Sequence, residues 1–159
     1  MQTAHASHAR RDTVPTSDIW QLSLRQSLQE VSATRVILAA VQMVLVRVAL
    51  VVIGFDRTLR LVRRLSGQRR RDDIPDQELA AAVYRVAVAS AFITFRGARC
   101  LERSLVLFYQ LKRAGVPVAL RVGANARPFT AHAWVEYDGQ PINERWDTIS
   151  DFSVLLEVR

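Results

Sequence analysis

The stretch Cys100-Leu-Glu-Arg-Ser-Leu-Val-Leu-Phe-Tyr-Gln-Leu-Lys-Arg-Ala-Gly115 carries the chain's single cysteine. The later stretch Thr130-Ala-His-Ala-Trp-Val-Glu-Tyr-Asp-Gly139 carries its one histidine outside the first sixteen residues. Leu101, Leu105, Phe108 and Leu111 recur at three- and four-residue spacing, so the first stretch reads as an amphipathic helix. Its end is marked by Lys112 and Arg113, by Gly115 suited to a left-handed cap, and by Pro117, which cannot continue a helix. Cys100 then falls in the first turn. Unpaired N–H groups and the positive end of the helix dipole there stabilise a thiolate and can also hold an oxyanion.

Val116, Val118, Leu120 and Val122 alternate with Pro117, Ala119, Arg121 and Gly123, the pattern of a half-buried strand. A loop is expected over residues 124–129. The next strand carries His132 and ends at Asp138-Gly139, a signal for a two-residue hairpin. A helix opening on cysteine, then a strand, then a hairpin with histidine is the order that joins thiol and imidazole in papain-like and transglutaminase folds.

The wording of these segments sharpens the match. Cys100-Leu-Glu-Arg-Ser-Leu, Leu120-Arg-Val-Gly123, Ala131-His-Ala-Trp-Val-Glu-Tyr-Asp-Gly139 and Ile142-Asn-Glu144 together resemble the lasso peptide biosynthesis B2 proteins. These are transglutaminase-like leader peptidases, and the resemblance runs from about Gly97 to the C-terminus, more loosely upstream. It implies Cys100 as nucleophile and His132 as general base. It further implies removal of the leader from a precursor peptide delivered by a separate leader-binding B1 protein, with an ATP-using lasso cyclase acting afterwards and no cofactor.

The third catalytic member is open between two neighbours. With a two-residue turn, Ala133 stands opposite Glu144, Trp134 opposite Asn143 and His132 opposite Arg145, which puts Asn143 on the face of His132. The family carries an aspartate in this role, and this chain reads Asn143-Glu144. Asn143 therefore ranks first and Glu144 second, turned inward by a bulge, with Asp147 and Asp151 behind them. The alternatives to catalysis are specific. A lone cysteine is more often a small buried hydrophobe, but Arg99, Glu102 and Arg103 beside Cys100 argue against an apolar site. Trp134 reads as a core aromatic and Arg103 as a salt-bridged structural residue.

A chain of 159 residues supports one domain with a core. One cysteine excludes an internal disulfide, and His5 and His8 sit in a polar tail, so no metal cluster is expected. The net charge of +7 is almost all arginine, Lys112 being the sole lysine. Basic surface attracts anionic partners, but no nucleic-acid motif accompanies it, so nucleic acid is excluded.

Four segments are expected: a tail over residues 1–16, a helical region over 17–66 starting after the N-cap candidate Ser17, a linker over 67–74 and a catalytic core over 75–159 opened by Pro75. The tail lacks the apolar run of a secretory signal, which points to the cytoplasm. Residues 36–55 are long and apolar enough to cross a bilayer. Against a span, Arg47 costs about 2.5–3.5 kcal/mol near its centre. Three readings stay open here: a helix packed on its own domain, contact with a membrane surface or partner, and a true span. Arg57, Arg60 and Arg64 form a basic face set opposite Leu61 and Leu65, suited to anionic headgroups or an acidic partner. The fold class expected is α+β, a small antiparallel sheet against the Cys100 helix with an N-terminal helical half. Two other functions compete with peptide cleavage: acyl transfer of the transglutaminase type, and a noncatalytic membrane-associated scaffold.

Overall fold

A computed structural model describes residues 32–67, 71, 75–93, 100–127 and 129–159. The tail, the helix expected after Ser17 and most of the linker lie outside the described residues. Helix α1 runs Ala33–Val52 and α2 Phe55–Ser66, with Gly54 between them at φ 79°, a left-handed conformation that a side chain would strain. Helix α3 spans Asp76–Ile93; the Pro75 carbonyl accepts the Glu78 N–H at 2.9 Å and opens it as a first-turn proline should. Helix α4 is Cys100–Arg113. It closes as the sequence dictates: Gly115 takes φ 88°, and the Val116 N–H returns to the Leu111 carbonyl at 2.9 Å.

Strands β1 (Val118–Ala126), β2 (Phe129–Tyr137), β3 (Gln140–Pro141) and β4 (Ser153–Val158) form one antiparallel sheet in the order β3-β2-β1-β4. The architecture is α+β with an N-terminal helical part. Asp138 and Gly139 both have positive φ and join Tyr137 to its partner Gln140, the two-residue hairpin read from the sequence. The loop expected over 124–129 is shorter. Pairing of β1 with β2 continues through Asn125↔Thr130 and Ala126↔Phe129, and the Asn125 carboxamide oxygen accepts the Arg127 N–H at 3.0 Å to close the turn. A short helix α5, Trp146–Ile149, lies between β3 and β4.

The core is built where α4 lies on the sheet. Leu105, Leu107, Phe108 and Leu111 of α4 are buried with Leu120 and Val135 of β1 and β2. Met43 of α1, Leu59 and Val62 of α2, and Leu79, Val83 and Val86 of α3 join the same cluster. The polar residues inside the apolar run of α1 face this packing. Gln42 accepts a hydrogen bond from Gln110 of α4 at 2.7 Å, and Arg47 pairs with Glu102 of α4 at 3.2 Å. Among the three readings of this helix, the fold packs it against its own domain along one side. The other side, including Ile37, Val41, Leu45, Val48 and Val51, is exposed.

Helix α2 corrects the basic-face expectation. Thr58, Leu59, Val62 and Ser66 are its buried residues, whereas Leu61 and Leu65 are 44 and 55% exposed. Positions 58, 62 and 66 stack one turn apart and define the inward stripe, which leaves Leu61 and Leu65 outside it.

Candidate active site

Cys100 is the first residue of α4 and is half-buried. Its Sγ lies 4.0 Å from the Ala131 carbonyl oxygen on β2, so the helix start is seated against the strand that carries the histidine. His132 stands in register opposite Gly123 of β1. A Cβ at Gly123 would come within 3.0 Å of both the Ser153 carbonyl and the Trp134 ring, so glycine is what lets β4 and Trp134 close beside the imidazole. Phe152 packs on the imidazole with ring centroids 5.7 Å apart.

His132 Nε2 is 3.2 Å from Glu144 Oε1. No hydrogen bond is aligned along that contact, so it is the close approach of an ion pair. Glu144 is also paired with Arg103, one turn of α4 after Cys100. One helix face thus supplies both the thiol and the cation that holds the carboxylate beside the histidine.

The electrostatics follow. Hydrogen bonding with Cys100, then the contact with Glu144, raises the His132 pKa from 6.5 to about 9 against the opposing effect of burial. Burial pushes the Cys100 thiol up, but His132, the Ala133 N–H and the Leu101 N–H together bring it below its ordinary value. The pair therefore favours thiolate with imidazolium, the charge state of a primed nucleophile.

The two candidates for the third position separate cleanly. Asn143 is buried, and its carboxamide oxygen accepts the Val135 N–H at 2.7 Å while its Nδ2 donates to Ser104 Oγ at 2.9 Å. Ser104 in turn donates to the Ala133 carbonyl at 2.8 Å. No bond from Asn143 reaches the imidazole, so ranking it first for contact with His132 is corrected. The physical cause is local. The hairpin ladder continues as far as Ile142, whose N–H bonds to the Val135 carbonyl at 2.9 Å. In an uninterrupted ladder the Val135 N–H would return to the Ile142 carbonyl. Asn143 takes that N–H instead, the chain leaves the sheet, and parity no longer decides which way Glu144 points. Asp147 is engaged by Arg145 at 2.8 Å and exposed, and Asp151 is exposed; neither contacts His132.

Arg103 is salt-bridged, as expected from the sequence, and its partner is the carboxylate beside His132. The spacing Cys100 to Arg103, three residues along one helix, is the signal that both face the same site. Among the described residues no three His, Cys, Asp or Glu side chains gather as metal ligands.

A sequence profile described as the transglutaminase-like superfamily matches residues 42–157. The chain belongs to the transglutaminase-like superfamily. The match begins within α1, so α2 and the second half of α1 lie inside the region it recognises. No curated protein and no solved structure matches the chain in the corresponding comparisons.

Proposed function

We propose that this transglutaminase-like protein is a cysteine peptidase that removes the leader from a lasso peptide precursor, with Cys100, His132 and Glu144 as its catalytic group. The observation that carries catalysis is the seating of the thiol against the strand that bears His132, together with the approach of that imidazole to a carboxylate anchored by Arg103. The lasso assignment rests on the resemblance of the segments around Cys100, His132 and Ile142-Asn-Glu144 to the B2 proteins.

The Cys100 thiolate attacks the scissile carbonyl carbon, and the carbonyl oxygen takes up the electron pair as an oxyanion beside the α4 N-terminal amides. Collapse of this intermediate breaks the C–N bond as His132 gives its proton to the leaving amine. The product so released is the follower segment with a new amino terminus. Neutral His132 then takes a proton from water, whose oxygen attacks the thioester, and the leader departs with a free carboxylate while Cys100 returns as thiolate. Glu144 keeps the imidazole in place throughout and compensates its charge whenever it is protonated. In this reading a B1 protein presents the leader, and an ATP-using cyclase consumes the freed amine.

The test is mass spectrometry of the precursor after incubation with the protein and its leader-binding partner. Cleavage at one bond is expected for the wild type, with loss of about 100-fold or more in Cys100→Ala and His132→Ala. Cleavage retained in Cys100→Ala sinks the reading. A product carrying an added amine in place of water redirects it to acyl transfer.

A further inference from the structure

A cleft of about 890 Å³ lies between the C-terminal half of α2, the end of α4 and the start of β1. It is at the far end of α4 from Cys100. Arg60, Arg63 and Arg64 of α2 and Lys112 of α4 line it, and none of the four has an acidic partner among the described residues. Two further cations at its edge are already committed: Arg121 to Glu136 and Glu157, and Arg159 to Glu157. Glu136 is spent on Arg121 and on the Trp134 indole N–H, leaving exposed Asp138 as the one uncommitted acid of the lining. Four cations without an acidic partner among the described residues, gathered in a recess, focus a positive potential and call for an anionic occupant.

The lining decides among anions. Phe108, the one aromatic residue of the cleft, is fully buried, so no ring is offered for a base to stack on, as single-stranded nucleic acid requires. A recess also suits a flat bilayer poorly. Arginines spread over a full turn of α2 and joined by Lys112 on a second helix match carboxylates distributed along an extended chain.

We propose that this cleft is an exosite for an acidic segment of the polypeptide substrate, remote from the bond that is cut. The proposal rests on the peptidase reading above. Lys112 lies twelve residues along α4 from Cys100, about 18 Å at helical rise. An extended chain covers that distance in no fewer than about six residues. The acidic segment is therefore at least that far from the scissile bond, and the site selects substrates without touching the reacting atoms.

The probe is a fluorescein-labelled (Glu-Gly)4 peptide titrated by anisotropy against the full chain, with (Gln-Gly)4 as neutral control. Binding of the acidic peptide alone is expected, weakening about tenfold or more in Arg60→Glu/Arg63→Glu/Arg64→Glu and separately weakened in Lys112→Glu. It also weakens as salt rises from about 50 to about 300 mM. All four side chains are outside the buried core, and circular dichroism with a thermal midpoint equal to wild type confirms that the variants fold. Equal binding of both peptides, no binding, or binding indifferent to charge reversal overturns the exosite. Displacement of the peptide by millimolar inorganic phosphate, or tighter binding of an oligothymidylate or of anionic vesicles at the same residues, overturns it in favour of those ligands. Because binding needs no turnover, the two readings fail separately. Cleavage without peptide binding removes the exosite alone, and peptide binding with no Cys100-dependent cleavage removes the peptidase alone.

Discussion

Cys100 and, after it, Glu144 hold His132 as an imidazolium at neutral pH, and this has a measurable sign. Together they keep the imidazole near pKa 9, so the imidazolium persists below that pH and is lost as pH rises through it. Replacing Glu144 with Gln removes the negative charge, and the His132 pKa falls. The alkaline limb of Cys100 alkylation by iodoacetamide, a clean readout because the chain has one cysteine, moves to lower pH in Glu144→Gln. An alkaline limb unmoved by the substitution would show that Glu144 does not act on the imidazole. Cys100 and His132 were legible because each is the one residue of its type among the described residues. Glu144 was legible only as the second choice, since its direction depends on Asn143 taking a backbone N–H, and a side chain competing with a ladder leaves no periodic signal.

At the level of the element, Asn143 ends β3 and ties the hairpin to α4. Its amide serves the Val135 N–H and Ser104 together, inside a site 7% exposed. Asn143→Ala leaves that buried N–H without its partner, which costs about 1–3 kcal/mol, while Ser104 keeps only the bond it donates to the Ala133 carbonyl. The thermal midpoint of Asn143→Ala is expected to fall by several degrees, with part of the activity lost as Glu144 loosens; an unchanged midpoint would mean that water or Ile142 takes over the bonds. The C-terminal end of α4 could be read to within a residue, because capping chemistry at Gly115 and charge at Lys112 and Arg113 are local. The β1–β2 loop could not, because Ala124, Asn125 and Ala126 carry weak strand signals of their own and pair only through their partners across the hairpin.

Taken as a whole molecule, the chain joins its two halves through α4. The sequence separates a helical region over residues 17–66 from a catalytic core over 75–159, with a charged run between them. Composition marks that run but is silent on packing across it. Which face of α2 turns inward was hidden for the same reason: leucines at 59, 61 and 65 look equivalent until the partner helix is in place. In the fold, Met43 is 1% exposed, Leu59 9% and Val62 6%, all within the cluster that buries Leu105, Phe108 and Leu111. Burial of a large aliphatic side chain stabilises by about 1.5–3 kcal/mol, so these three alone contribute about 5–9 kcal/mol. That is comparable with the whole stability of a typical domain, about 5–15 kcal/mol. Cutting them away also strips Glu102 of Arg47 and Gln110 of Gln42. A fragment of residues 75–159 is therefore expected to lack a cooperative thermal transition and to alkylate at Cys100 without the pH dependence of the full chain. A sigmoidal melt of that fragment close to the full chain's midpoint would show instead that α1 and α2 are attached to a core that stands without them.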